Sequence, residues 1–204
     1  MEYCEIIKNT SVYGLSESIR GAKFPMSTDV EKINTDLTQG IKKLAMSTPG
    51  AGHSTWLQGV VVQFDLTFTA KAWTEFERYH FVDFVTNFPL FKLSDINDKA
   101  AYMEYTNPEI IRLAQKKLEE YNSTLHDETN IEVVNQKYLE LIYSIPAGFK
   151  LTARISTNYR QLQTIYSQRR THRLPEWQAF CDWCETLPYS EFITGKEEPA
   201  SATD

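Results

Sequence analysis

Val62-Gln63-Phe64-Asp65-Leu66-Thr67-Phe68 alternates apolar and polar side chains without a break. Successive residues of a strand point to opposite faces, so this stretch makes a strand with one buried and one polar face. Downstream, Trp73, Phe76, His80 and Phe84 recur at three-to-four spacing, which predicts a helix over residues 70–85. Asn87-Phe88-Pro89 then breaks it, because proline cannot continue a helix. Residues 90–106 are polar and aromatic without a clear period and read as a loop.

Further out, Pro108 sits well in a first helical turn, and Ile111, Ala114, Leu118 and Tyr121 make an apolar stripe over residues 108–122. A second stripe, Ile131, Val134, Tyr138, Leu141 and Ile142, ends before Pro146-Ala147-Gly148. Residues 150–157 alternate again, with Leu151, Ala153 and Ile155 on one side, and predict another strand. Asn158 with Gln161 three residues on is a capping-box pattern opening a helix through Leu162, Ile165 and Tyr166. A last helix after Pro175 carries Trp177, Phe180 and Cys184.

Upstream, the pattern is mixed. Leu15, Ile19 and Ala22 have helical spacing, Val30 to Met46 suits a short helix with Ile33, Leu37, Ile41 and Leu44 on one face, and residues 47–52 read as a loop. Long helices with a small sheet imply an α/β (α+β) fold. Residues 1–204 read as one domain with its core at about 52–187 and a frayed polar tail at 196–204.

Apolar content of 42% and aromatic content of 13% argue against a disordered chain. No run of eighteen apolar residues exists to span a membrane, and the N-terminus lacks the basic-then-apolar order of a secretory signal. Three cysteines (Cys4, Cys181, Cys184) make no disulfide framework and fit a reducing, cytoplasmic setting. The net charge of −6 argues against broad nucleic-acid binding. Yet residues 147–175 hold Lys150, Arg154, Arg160, Arg169, Arg170 and Arg173 with no Asp or Glu. Such a concentration suits an anion site, such as one for a nucleotide phosphate. The plainer alternative is a solvated face whose acidic partners come from elsewhere in the fold.

Three pieces together resemble the flavin-dependent thymidylate synthases. Gly52-His53-Ser54-x-x-Leu57, leading into the strand ending at Phe68, resembles the family's Gly-His-x-Ser-x-Leu-Glu-His segment. Arg78-Tyr79-His80, 25 positions after His53, is similar in placement to its Arg-His-Arg signature. Ile145-Pro146, followed twelve positions after the proline by Asn158-Tyr159-Arg160-Gln161-Leu162, resembles its Leu-Pro and Asn-x-Arg-x-Leu pair. Downstream, Arg170 and Pro175-Glu176-Trp177 resemble the family's Arg…Ala-Gln-Trp-Glu-Ile-Arg stretch. The resemblance covers about two-thirds of the chain, residues 52–187.

It implies the thymidylate synthase-complementing-protein fold, a homotetramer, and flavin adenine dinucleotide (FAD) at subunit interfaces. NADPH would supply hydride and a folate the one-carbon unit for methylation of deoxyuridine monophosphate. By position, His53, Arg78, Asn158 and Arg160 would face the flavin or its phosphates, with His80 beside them in the signature, while the acid-free window makes Arg154, Arg169, Arg170 and Arg173 the candidates for a nucleotide phosphate.

The departures bear on chemistry. Tyr79 and His80 replace the signature's central His and second Arg, and Phe88 stands where the family has a serine beside the pyrimidine. Ile142 and Phe180 align with nucleotide-binding arginines. An apolar side chain cannot pair with a phosphate or polarise a pyrimidine. The expectation is therefore a flavin- and nucleotide-binding homologue with altered or lost dUMP methylation. The alternative is a non-catalytic protein that sequesters a phosphorylated nucleotide.

Several residues have plainer readings. Asn158 serves equally as a helix cap, and Arg160 and Arg169 as surface charges. On a regular helix Arg78 and His80 lie about 200° apart, and His80, sharing a stripe with Phe76 and Phe84, reads as a core histidine. His53, between a Gly-rich loop and a strand, is the better functional histidine. Cys181-Asp182-Trp183-Cys184 has redox or half-zinc spacing but no second ligand pair, and it falls in a helical pattern.

Overall fold

A computed structural model describes residues 1–47, 52–86, 93–125 and 130–196. In chain order the elements are α1 (Tyr3–Ile6), β1 (Ile7–Tyr13), α2 (Leu15–Lys23), α3 (Gln39–Ala45), β2 (Val61–Thr69), α4 (Ala70–Phe76), β3 (Asp83–Thr86), α5 (Pro108–Thr124), α6 (Ile131–Ile142), β4 (Lys150–Asn158), α7 (Tyr159–Arg169), α8 (Pro175–Cys184) and α9 (Glu191–Thr194). The strands form a four-stranded sheet in the order β1-β2-β4-β3, with β1 antiparallel to β2. This is the expected α/β fold, a small sheet with long helices.

The chain divides into two compact units, one of residues 1–66, 77–85 and 153–204, the other of residues 67–76 and 86–152. The first unit has an aromatic core. Phe64, on the buried face of β2, lies 4.4 Å from the Trp183 ring and 6.1 Å from Phe180 of α8. Burying each such ring contributes about 1.5–3 kcal/mol. The indole N–H of Trp183 donates to Thr10 Oγ1 at 3.2 Å, and Tyr159 donates to the Pro188 carbonyl at 2.6 Å. α2 lies against the turn at residues 55–59 through glycines. A Cβ on Gly14 would fall 2.5 Å from the Gly59 carbonyl oxygen, and Gly14 already has φ of 74°.

The second unit packs α5 and α6 over Ile96, Tyr102, Ala114, Leu118, Leu141 and Phe149. Tyr102 donates to the Ile96 carbonyl at 2.7 Å, and Trp73 Nε1 to the Leu151 carbonyl at 3.0 Å. The stripe of α5 and the alternation of β2 and β4 match the sequence pattern, and so does the α6 stripe except at its first residue, Ile131, which is 70% exposed.

Three local expectations differ from the structure. The helix predicted over residues 70–85 stops at Phe76. Its remainder turns through Phe81 at φ 56° into the edge strand β3, where Phe84, Val85 and Thr86 are better strand than helix formers. His80 is consequently exposed, not a core histidine, and the helical angle between Arg78 and His80 does not apply. The helix predicted over residues 30–46 is a 3₁₀ turn at Val30–Lys32 followed by α3, which opens at the Thr38 cap. Residues 93–97 and 99–101, within the predicted loop, form 3₁₀ turns. The breaking Asn87-Phe88-Pro89, most of the loop at 47–52 and residues 197–204 lie outside the described residues. No described helix is long and apolar enough to cross a membrane.

Candidate functional site

Two polar clusters of the first unit sit at the ends of α7. At its start, Asn158 ends β4 with extended backbone, and its Oδ1 accepts from the Gln161 backbone N–H at 2.9 Å. That satisfies one of the donors a helix start leaves unpaired, so the capping reading of Asn158 has its geometry. Arg160, in the first turn, donates from Nη1 to Ser54 Oγ at 2.7 Å and to Gln163 Oε1 at 2.5 Å. Ser54 is 1% exposed. The bond joins Gly52-His53-Ser54 to Asn158-Tyr159-Arg160 across 106 positions of sequence. His53 is exposed and lines a cavity of about 440 Å³ with Ala22, Pro25, Met26, Leu44, Thr55 and Trp56. Ligand sites typically fall in the range of roughly 300–1,000 Å³.

At the far end of α7, Arg169 Nε donates to the Tyr79 hydroxyl at 2.7 Å, and that hydroxyl donates to Gln168 Oε1 at 3.1 Å. The Arg169 guanidinium lies 4.6 Å from the Trp177 ring centroid and 5.5 Å from that of Tyr79. Two aromatic faces attract the cation and limit its rotation. His172 lies 6.2 Å from Trp177, and its Nδ1 accepts from the Leu174 N–H at 3.2 Å. Arg169 lies nine positions after Arg160, about 13.5 Å along the axis and a half-turn offset around it. The two arginines thus occupy opposite ends and opposite faces of α7. Arg78 and His80 are exposed on the turn that follows α4, beside Tyr79. The carbonyl of Phe81 accepts from Thr157 Oγ1 at 3.0 Å, which pins that turn to β4.

The other cations of the acid-free window differ. Arg154 pairs with Asp65 at 3.0 Å and donates to the Asn9 carbonyl at 3.0 Å. Hydrogen bonds from Asn9 and then Arg154, with the Arg154 charge, hold the Asp65 carboxyl below its ordinary value despite partial burial. Arg170 pairs with Asp182 at 3.1 Å and Glu185 at 3.3 Å. For these two, acidic partners do come from elsewhere in the fold. Arg173 is exposed just before α8.

Phe180 is 0% exposed within the aromatic core, and Ile142 packs against the apolar cluster of the second unit. Neither setting suits a phosphate-binding arginine. Phe88 lies outside the described residues. Cys181 and Cys184 are buried in α8, and burial pushes the Cys181 thiol up to about 12 and that of Cys184 upward as well. Buried thiols of that kind are poor nucleophiles. Among the described residues no group of three His, Cys, Asp or Glu is placed to hold a metal. Sequence reasoning missed Gln163, whose only visible signal is its place one turn after Arg160. It also missed the pairing of Tyr79 with Arg169, which are ninety positions apart.

No family model matches the sequence, and no curated protein does. Solved structures do match in fold. Thymidylate synthase X from Helicobacter pylori, with FAD and dUMP, is 17% identical at a TM-score of 0.63, over 93% of this chain and 95% of that one. A second structure of the flavin-dependent thymidylate synthase from Helicobacter pylori, complexed with FAD and dUMP, is 17% identical at 0.63, over 95% and 97%. A UMP/dUMP methylase from Streptomyces cacaoi, bound with 5-Br dUMP, is 15% identical at 0.58, over 93% and 94%. The chain therefore has the fold of the flavin-dependent thymidylate synthases.

Proposed function

We propose that the protein is a flavin- and nucleotide-binding homologue of the flavin-dependent thymidylate synthases in which dUMP methylation is altered or lost. The observation that carries this reading is the Arg160–Ser54 hydrogen bond of 2.7 Å. It sets the two best-preserved motif pieces against each other, with His53 beside a cavity of about 440 Å³. The cavity wall offers an aromatic ring (Trp56), aliphatic carbons, an imidazole and a hydroxyl (Thr55). These residues fit a flat heteroaromatic ring with a polar edge, as flavin has. When bound, flavin supplies hydride transfer. The chain's own part is to bind and orient: His53 and Arg160 toward the ring and its phosphates, Arg169 toward a nucleotide phosphate. Cations at opposite ends and faces of α7 suit a site completed by a second copy of the chain, as in a homotetramer.

The second reading, sequestration of a phosphorylated nucleotide without catalysis, is favoured by the burial of Phe180 and the packing of Ile142. A fluorescence titration with FAD, followed by one with dUMP, separates the two. Saturable quenching of flavin that weakens in Arg160→Ala supports the flavoprotein. Nucleotide binding with no flavin binding supports sequestration. Neither ligand binding overturns both.

A further inference from the structure

Gln163 uses its side-chain amide at three points. Its Oε1 accepts from Arg160 Nη1 at 2.5 Å, and its Nε2 donates to the carbonyls of Phe192 at 3.3 Å and Ala45 at 3.4 Å. The orientation is fixed by chemistry. A flipped amide would put an NH₂ against a guanidinium and an oxygen against two carbonyls, and none of those pairs can bond. Arg160 Nη1 passes the connection on to Ser54 Oγ at 2.7 Å. One relay of amide, guanidinium and hydroxyl thus ties Ala45, at the end of α3, to Ser54. Leu44, from α3, and His53 and Thr55, from the segment before β2, all line the cavity, so two chain segments wall it. Each wall is next in sequence to a residue the relay holds.

We propose that Gln163 is a positioning residue: it orients the Arg160 guanidinium and through it sets the separation of the cavity walls that carry Leu44 and His53. That the cavity takes flavin rests on the function proposed above; the positioning role does not. The fold itself has other ties at this junction. Lys42 lies 3.4 Å from the buried carboxylate of Glu191, and Trp56 meets Phe192 edge-on at 5.7 Å between centroids. Loss of Gln163 should therefore loosen the walls without unfolding the unit.

The test is amide hydrogen exchange on the full chain without ligand, in the native protein, Gln163→Ala and Gln163→Glu, with FAD affinity measured alongside by flavin fluorescence. The Thr55 and Leu57 amides, bonded to the Gly52 and Ser54 carbonyls, report one wall; the Met46 amide, bonded to Lys42, reports the other. Gln163→Ala should speed exchange at both walls by on the order of two- to tenfold and weaken FAD binding by a similar factor. Gln163→Glu keeps an acceptor for Arg160 but presents a carboxylate to two carbonyls. It should speed exchange at Met46 while leaving Thr55 and Leu57 protected, a split that general destabilisation would not produce. Unchanged Thr55 and Leu57 exchange in Gln163→Ala, or identical behaviour of the two variants, overturns the positioning role whatever FAD does. The expected split, with no FAD binding by the native protein, upholds the positioning role and overturns the flavin reading.

Discussion

Asp65 and Arg154 show what a single residue's surroundings decide. Arg154 belongs to an acid-free window, yet its carboxylate partner stands 89 positions earlier, on β2. No local pattern reveals such a partner, because pairing across a sheet depends on register. Asn9 completes the group from a bulge in β1 at φ 52°, a conformation asparagine tolerates better than most residues. We predict that Arg154→Ala costs about 0.5–1 kcal/mol in urea unfolding and leaves nucleotide binding unchanged. The sign of the pH effect follows from the depressed Asp65 carboxyl. Its stabilisation is present above the ordinary aspartate value of 3.8 and is lost as pH falls through the lower folded value. Asp65→Asn should flatten that part of the stability–pH curve. The cysteines give a second test at this scale. Cys4 is exposed while Cys181 and Cys184 are buried. Brief treatment of native protein with iodoacetamide should therefore add one group per chain by mass, and three after denaturation. Rapid labelling of Cys181 in native protein would contradict the inert reading of that pair.

Among the elements, legibility followed the strength of the pattern. β2, β4, α5, α6, α7 and α8 carry clear periods and appear where their periods predict them. β1 escaped notice because Lys8-Asn9-Thr10-Ser11 is polar and its bulge interrupts alternation. β3 was hidden by a helical coincidence, since Phe84 keeps the spacing of Trp73 and Phe76 while its backbone pairs in the sheet. Phe81, 72% exposed at φ 56°, marks the change of direction. A side chain in that region costs about 1–2 kcal/mol relative to glycine's freedom. Phe81→Gly should accordingly be neutral or mildly stabilising, and Phe81→Val destabilising by a similar amount, both read by thermal unfolding. In the α5–α6 pair, Lys117 and Lys137 each approach Glu120 and Glu140 at 2.9–3.3 Å. Hydrogen bonds from Lys137 and then Lys117 push the Glu140 carboxyl down to about 2. Its contribution holds above the ordinary value of 4.5 and fades as pH falls toward 2, and added salt should weaken it. Glu140→Gln should remove both dependences; a variant as salt-sensitive as the native protein would show the cluster to be inert.

For the whole molecule, a shared fold does not by itself carry a shared chemistry. At 15–17% identity the matched structures share an architecture, while the residues that decide chemistry have to be read one by one. The sequence singles out the Gly-His-Ser and Asn-Tyr-Arg pieces separately, and the structure adds the bond between them. The partners of Arg160 and Arg169 were not legible, because Ser54 and Tyr79 reach them through tertiary packing alone. Phe180, which the resemblance sets against a nucleotide-binding arginine, is taken into an aromatic core. Supplied with FAD, NADPH and methylene-tetrahydrofolate, the protein should form no thymidylate from dUMP. Flavin binding is read first from the absorbance spectrum of freshly purified protein, with mass analysis of what denaturation releases. A flavoprotein shows flavin bands and releases FAD, either as purified or after incubation with excess FAD; a colourless protein that stays empty after that incubation would rule out the flavin reading.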